Sequence, residues 1–166
     1  MQVNFKKLVT PTPEIALTMT EWANDRAIVH LMRPSFSQEE LQAETSVTVA
    51  TLLERIERGH VFYLVYADEQ LVGEMNYVVD PPQLLKHQKG SAWIGISIGV
   101  ASARGKGIGA KAMQYLEDEI RAAGCARIEL GVFEYNEPAI KLYKKMGYKE
   151  FGHVPEFTYW DGKMWT

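Results

Sequence analysis

The stretch Arg104-Gly105-Lys106-Gly107-Ile108-Gly109 lies between an apolar, strand-like segment, Trp93 to Val100, and an amphipathic, helix-like segment, Ile108 to Ala123. Its glycines let the backbone pass close to a bulky anion. The free amides at the start of the following helix point towards such an anion, and the helix dipole favours negative charge there. We therefore predict that this loop binds a phosphate-bearing cofactor.

Length and composition favour one domain over residues 1–166. Hydrophobic residues make up 46% of the chain and charged residues 23%, and no apolar run is long enough to span a bilayer. We therefore expect no membrane insertion. The net charge is −3 and no block of lysine and arginine is present, so we expect no nucleic-acid partner.

The N-terminal segment and the cysteine content suggest a compartment. The segment lacks the long apolar stretch of a secretory signal. The single cysteine, Cys125, excludes an intramolecular disulfide. Both features favour the cytoplasm.

The segments before the loop predict strands and helices in turn. Alternating residues from Val3 to Leu8 indicate a strand, and the prolines at 11 and 13 precede a helix. Ser37 to Glu40 has the form of a capping box, and the apolar stripe from Val49 to Ile56 predicts a helix that ends at Gly59. The β-branched and aromatic segments 61–66 and 71–79, joined by a short link, predict an antiparallel hairpin.

After the loop the pattern changes to a crossover. Gly124 is well placed to end the helix, and residues 127–133 again resemble a strand, which predicts two parallel strands joined by the helix. A further helix is expected over 137–146. From Tyr148 onward an aromatic-rich strand is expected, with a turn at Asp161-Gly162.

A dinucleotide-binding loop is the first alternative, since Gly105, Gly107 and Ala110 also satisfy Gly-x-Gly-x-x-Ala. That fold places the loop after an early strand and follows it with further strand–helix–strand units. Here about a hundred residues precede the loop and the chain after it has room for one crossover and a helix, which disfavours this alternative. A P-loop is disfavoured because no Gly-Lys-Ser/Thr follows.

Two patterns in the second half of the chain occur together in one family. The first, Arg/Gln-x-x-Gly-x-Gly/Ala, stands after a strand and opens a helix; it matches Arg104, Gly107 and Gly109. The second, Asn-x-x-Ala-x-x-x-Tyr-x-x-x-Gly-Phe/Tyr, follows the next strand; it matches Asn136, Ala139, Tyr143, Gly147 and Tyr148. In both patterns and in their order the chain resembles the GNAT acetyltransferase family.

The likeness extends to the N-terminal part. Trp22-Ala23-Asn24-Asp25 resembles the Trp-x-Asn-Asp opening of the branch that includes ribosomal-protein N-terminal and spermidine acetyltransferases. The resemblance implies a mixed α/β fold, a largely antiparallel sheet splayed at one parallel strand pair and flanked by helices. It places acetyl-CoA in the gap between the strands at 93–100 and 127–133.

The resemblance also implies which residues hold the donor. Backbone amides from Arg104 to Ala110 would bind the CoA pyrophosphate, and the strand edge at Ile98, Gly99 and Val100 would pair with the pantetheine arm. Asn136 is either a cofactor contact or a helix N-cap, or both. The implied donor-binding residues are Ile98, Gly99, Val100, Arg104, Gly105, Lys106, Gly107, Ile108, Gly109, Ala110, Asn136 and Tyr143.

Catalytic roles fall on two residues. Tyr143 is carried over from the family as the general acid that protonates the leaving thiolate; its alternative is an aromatic core position. Relatives often carry a base glutamate at the start of the central strand, where this chain has Trp93. Glu74 on the neighbouring strand is the replacement candidate, ahead of Glu129 and Glu134, and a solvent-facing carboxylate is its alternative.

Other conspicuous residues are interpreted as structural. The four histidines have no close metal-ligand spacing and Cys125 has no partner cysteine, so we expect no metal. Cys125 is expected to be a small buried filler. The three glutamates at 39, 40 and 44 are expected on a solvated helix face, with attraction of a cationic acceptor as the alternative. The tail aromatics either line the acceptor pocket or bury a homodimer interface; they are Phe157, Tyr159, Trp160 and Trp165.

We therefore predict an N-acetyltransferase that moves an acetyl group from acetyl-CoA to a primary amine by direct attack. The acceptor is either a small-molecule amine or a protein N-terminus: a polyamine, an aminoglycoside-like amine, a free amino acid or a peptide. The alternative is a sensor that binds acyl-CoA without turnover, which the missing glutamate favours.

Overall fold

The computed structural model describes all residues from 1 to 166 and contains a five-stranded sheet, a two-stranded sheet and six α-helices. The strands are β1 Val3–Lys7, β2 Val61–Ala67, β3 Gln70–Val79, β4 Ser91–Ile98, β5 Arg127–Glu129, β6 Thr158–Trp160 and β7 Lys163–Trp165. The helices are α1 Pro13–Ala23, α2 Val29–Met32, α3 Gln38–Gln42, α4 Val49–Glu57, α5 Ile108–Ala122 and α6 Glu137–Lys145. No helix is both long and apolar enough to cross a membrane.

The chain divides into two compact units. The first consists of residues 1–16 and 48–130, and the second of residues 17–47 and 131–166. A single domain over residues 1–166 stays a prediction.

The first unit is built on the large sheet, with strand order β1-β2-β3-β4-β5. Three of its pairings are antiparallel, and only β4 and β5 run parallel. The predicted hairpin is confirmed as β2 and β3, joined by Asp68 and Glu69, which both have positive φ. The mixed, largely antiparallel fold class is therefore confirmed.

The sheet of the first unit is covered on both faces because neighbouring residues of a strand point to opposite sides. On one face, Tyr63 donates a hydrogen bond to Glu119 of α5 at 3.2 Å, and Phe5 stacks on Tyr115 of the same helix. On the other face, the guanidinium of Arg55 in α4 lies 4.7 Å from the centre of the Phe62 ring. Side chains of α5 supply much of the core; Ile108, Ala112, Met113, Leu116 and Ile120 are all buried.

The parallel pair separates early. Its last pairing joins Trp93 to Glu129, whereas β4 continues to Ile98. The prediction that the second strand reaches Phe133 is therefore wrong, since it ends at Glu129. A strand persists only where a neighbour accepts its hydrogen bonds, and β4 offers β5 no partner beyond Trp93. The far end of β4 keeps an edge that no strand covers.

The second unit ends in a small hairpin of β6 and β7, which pair from Thr158↔Trp165 to Trp160↔Lys163. Its turn is at Asp161-Gly162, as predicted, and both turn residues have positive φ. The prediction of a strand from Tyr148 onward is wrong for residues 148–157, because regular strand structure begins only at Thr158. Aromatic content favours a strand only where a partner strand is present.

Aromatic rings surround His30 in the second unit. The Trp160 ring stacks on its imidazole at a centroid distance of 3.8 Å, and the Tyr135 hydroxyl donates to the His30 carbonyl at 2.5 Å. His30 Nδ1 is buried without a hydrogen-bond partner. Burial lowers the pKa of His30, since the charged imidazolium would lose its hydration.

This burial predicts a pH dependence of stability. Between the lowered pKa of folded His30 and its ordinary value of 6.5, the unfolded chain binds the proton more readily, so the free energy of unfolding falls as pH decreases through that window. Urea unfolding on both sides of it should show a larger loss for the wild type than for His30→Phe. Equal losses in the two proteins would refute the prediction.

Candidate active site

The glycine-rich loop leads directly into α5. After a single 3₁₀ turn at residues 101–103, Gly105 and Gly107 have φ of +73° and +80°, a left-handed conformation that side chains other than glycine adopt reluctantly. A Cβ built on either residue meets nothing within 4 Å. The backbone of the loop is therefore uncovered, and the glycines serve conformation rather than close packing.

The amides of this loop are free to bind a ligand. The backbone amide of Arg104 donates a hydrogen bond to the Ala101 carbonyl. The next amide along the chain that has a backbone acceptor is that of Lys111, which donates to the Gly107 carbonyl. The amides of residues 105–110 have no backbone acceptor, and Gly107, the N-cap, supplies no side-chain cap. Six donors at the positive end of a 15-residue helix fit a phosphate group.

The side chain of Arg104 turns back onto the strand. Its Nε donates to the Ile98 carbonyl at 2.9 Å and its Nη2 to the Gly99 carbonyl at 3.1 Å. These bonds tie the loop to the end of β4. Lys106, by contrast, is exposed and can approach an anion bound at the loop.

The protein's own groups occupy most of the strand edge that was expected to pair with pantetheine. The amides of Gly99 and Val100 both donate to the Val72 carbonyl, at 2.8 and 3.3 Å. The carbonyls of Ile98 and Gly99 accept from Arg104, as described above. A pantetheine arm bound at this edge would have to replace Arg104 at the Ile98 carbonyl or use the part of the edge that precedes it.

Glu74 lies on β3 directly opposite Ser97 of β4. This register places its carboxylate beside the same end of β4 that leads into the glycine-rich loop. Burial raises the pKa of Glu74 to about 7, against the opposing effects of a hydrogen bond from Asn76 and the charge of Arg55. A carboxyl group with this pKa changes protonation state at neutral pH, as a general base must.

The two other carboxylates considered as bases are engaged elsewhere. Glu129 is buried, accepts the Leu85 amide at 2.6 Å and pairs with Arg127 at 2.6 Å. These partners lower the pKa of Glu129 despite its burial, so it is a poor proton acceptor near neutral pH. Glu134, in the second unit, is exposed and accepts the Thr166 amide at 2.9 Å. Glu74 is the carboxylate best suited to the role.

The residues of the second family pattern lie in the second unit, on and around α6. Asn136 is the N-cap of this helix and accepts from the Ala139 amide at 3.4 Å, so its structural role is confirmed. Tyr143 is partly buried, its ring meets that of Tyr148 edge to face, and no hydrogen bond is made by its hydroxyl. Burial raises the pKa of Tyr143, which keeps the phenol protonated.

Cys125 is buried, and burial raises the pKa of its thiol. Its predicted role as a small buried filler agrees with this, because a reactive cysteine needs the opposite shift. No group of three or more histidine, cysteine or acidic side chains is arranged to hold a metal ion.

The tail aromatics contact one another: Trp165 donates its indole N–H to the Trp160 carbonyl at 2.6 Å, and Lys163 lies over the Trp165 ring.

The structure adds two residues that the sequence analysis did not select. Asn76 contacts the Glu74 carboxylate, and Gly95 lies across from Asn76 on β4. The sequence indicates the pairing of Asn76 with Glu74, because side chains alternate along a strand and residues 74 and 76 of β3 therefore lie on one face.

Comparison with known proteins gives a consistent result. The family model described as "Acetyltransferase (GNAT) family" matches residues 22–148. The uncharacterized N-acetyltransferase YdgE of Bacillus subtilis (strain 168) is 37% identical over 92 residues, which are 54% of this chain and 55% of that protein. The chain thus matches about half the length of this curated relative.

Solved structures share the fold. An N-acetyltransferase from Staphylococcus aureus Mu50 has a TM-score of 0.76 at 20% identity and covers 99% of this chain and 94% of its own. The spermidine N-acetyltransferase from Vibrio cholerae, in complex with CoA and spermine, has a TM-score of 0.74 at 20% identity, with coverage of 99% and 90%. At this identity the likeness is evidence of a common fold.

Proposed function

Because this chain belongs to the GNAT acetyltransferase family, we propose that it transfers the acetyl group of acetyl-CoA to a primary amine. The observation that carries the proposal is the glycine-rich loop: residues 105–110 present free amides at the start of α5. We assign these amides to the CoA pyrophosphate. Lys106 adds a positive charge beside them, and the Arg104 side chain holds the loop on β4.

The chemistry proposed is direct attack. An aliphatic amine has a pKa of about 10, so about one molecule in a thousand is neutral at neutral pH. Glu74 takes a proton from the ammonium, directly or through a water, and the nitrogen lone pair forms a bond to the thioester carbonyl carbon. The nitrogen of the resulting tetrahedral intermediate loses its second proton to solvent, the carbon–sulfur bond breaks, and the departing thiolate receives a proton from Tyr143. Glu74 then releases its proton to solvent and Tyr143 regains one from it, so the net reaction frees one proton. The products are the N-acetyl amine and CoA.

Replacing Gly107 by valine should weaken acetyl-CoA binding at least about tenfold. A β-branched residue is strained at φ +80°, and it would turn the free amides away from the anion. Isothermal titration with acetyl-CoA measures the effect. Gly124→Val is the matched control, because Gly124 has φ +92° at the other end of the same helix. If both variants bound acetyl-CoA as the wild type does, the loop would not be the donor site.

The acceptor is proposed as a small primary amine or a protein N-terminus. The Vibrio cholerae protein of the same fold is described with spermine, which makes a polyamine the first acceptor to try. An aminoglycoside, free amino acids and a peptide with a free N-terminus complete the panel. Release of free CoA thiol, measured with and without each amine, identifies the acceptor.

A sensor that binds acyl-CoA without turnover is the second candidate, favoured by Trp93 standing where relatives carry a base glutamate. Acetyl-CoA binding without amine-dependent release of CoA across the panel would support the sensor and contradict the enzyme. A cytoplasmic location and a homodimer are further proposals; sedimentation of the purified chain tests the second.

A further inference from the structure

Asn76 lies two residues after Glu74 on β3, so both side chains project from the same face of the sheet. The Asn76 Nδ2 is 3.2 Å from Oε2 of Glu74 and 3.4 Å from Oε1. An ionised carboxylate can only accept hydrogen bonds, so the amide N–H₂ faces it. One amide nitrogen thus contacts both carboxylate oxygens and holds the carboxylate beside Asn76.

The neighbouring strand leaves space for this amide. Gly95 pairs directly with Asn76 across the ladder between β3 and β4. A Cβ at residue 95 would lie 3.2 Å from Asn76 Nδ2 and 3.4 Å from its Oδ1. Gly95 has no positive φ, so alanine is acceptable to its backbone. The absence of a side chain at residue 95 therefore serves the side chain of Asn76.

We propose that Asn76 is a positioning residue for the base, an inference that rests on the proposed function. The Asn76 amide orients the Glu74 carboxylate and stabilises its ionised form. Gly95, which has no side chain, leaves the space for this amide. Residue 76 lies outside the family patterns that this chain matches. In this role Asn76 contacts neither the amine nitrogen nor the thioester carbon and acts only through Glu74.

The surroundings of Glu74 make the contact with the Asn76 amide important. The residues opposite it are Leu64 on β2 and Ser97 on β4, and neither carries a charge. The charge of Arg55 in α4 favours the ionised form. Burial opposes ionisation and the Asn76 amide counteracts that effect, so loss of the amide removes part of the support for the ionised carboxylate.

Asn76→Ala should raise the pKa of Glu74 and move the acid limb of the kcat profile upward by about one pH unit, the expected loss for a hydrogen bond to a charged group. A carbon-13 NMR titration of the glutamate carboxyl carbons measures this pKa without turnover. The Glu74 signal is identified by its absence from the spectrum of Glu74→Gln. Asn4→Ala on β1 is the control for an asparagine lost from the same sheet, and Asn76→Val is a second variant with higher strand propensity.

Gly95→Ala tests the same contact from the other side. It should move the NMR titration of Glu74 in the same direction as Asn76→Ala, because the new methyl group displaces the amide. In the Asn76→Ala background, where the amide is already gone, Gly95→Ala should add nothing. Equal shifts in both backgrounds would overturn the role of Gly95 and, with it, the proposed contact.

The outcomes separate this inference from the proposed function. If the titration of Glu74 and the acid limb of kcat both move upward, the inference stands. If the titration does not move in either Asn76 variant, the inference is overturned, whatever the activity. If the titration moves but the acid limb does not, Glu74 is not the base: Asn76 then does not position a base, and this part of the proposed function fails as well.

Discussion

Tyr143→Phe should lower kcat about a hundredfold while leaving the affinity for acetyl-CoA close to that of the wild type. Expulsion of a thiolate is assisted by a proton donor, and the Tyr143 hydroxyl is a suitable one because it makes no other hydrogen bond and burial raises its pKa. The ring, which meets Tyr148 edge to face, is retained in phenylalanine. Packing is therefore preserved and only the proton is removed.

Tyr148→Phe is the matched control for Tyr143→Phe. It removes a hydroxyl from the adjacent ring and should keep most of the turnover. Initial rates at saturating acetyl-CoA measure kcat, and isothermal titration measures donor affinity. If Tyr143→Phe turned over the identified acceptor at the wild-type rate, the acid role would be wrong and the aromatic core alternative would apply.

Glu74→Gln should lower kcat by about two orders of magnitude and remove the acid limb of its pH profile. The direction of the pH dependence follows from the Glu74 pKa of about 7. Above this pH Glu74 is ionised and able to accept a proton, and below it Glu74 is protonated and inactive as a base. The wild-type kcat should therefore rise as pH increases through neutrality. Glutamine keeps the shape of the side chain and removes the titration.

The control for Glu74→Gln is Glu69→Gln, which removes an exposed carboxylate from the turn that precedes β3. Its pH profile should match that of the wild type. A Glu74→Gln enzyme that kept the wild-type profile would exclude Glu74 as the base. Glu129 would not replace it, because its ion pair with Arg127 lowers its pKa.

The parts of the fold that depend on local chemistry could be predicted from the sequence. The hairpin of β2 and β3 follows from β-branched and aromatic residues on either side of a short turn. The start of α5 follows from the glycines that precede it. The capping interaction at Ser37 is half confirmed: its hydroxyl accepts from the Glu40 amide, but the Glu40 carboxylate accepts from the Phe36 amide instead of closing the box.

The parts that depend on long-range partners could not be predicted. The end of β5 at Glu129 is set by where β4 stops offering hydrogen bonds, which no local pattern encodes. The role of the Arg104 side chain, bound to two carbonyls of its own strand end, depends on how the loop folds back. The raised pKa of Glu74 comes from burial, which a strand pattern alone does not distinguish from a solvent-facing position.

The most direct test of the central claim is an initial-rate study with acetyl-CoA and the best amine of the panel, with both CoA and the N-acetyl amine quantified. We expect one CoA per N-acetyl amine, reciprocal plots that intersect, and no acetylated protein by intact mass. That result is required if the amine attacks the thioester while both substrates are bound. Parallel lines with an acetylated protein, or CoA release that does not depend on the amine, would contradict it.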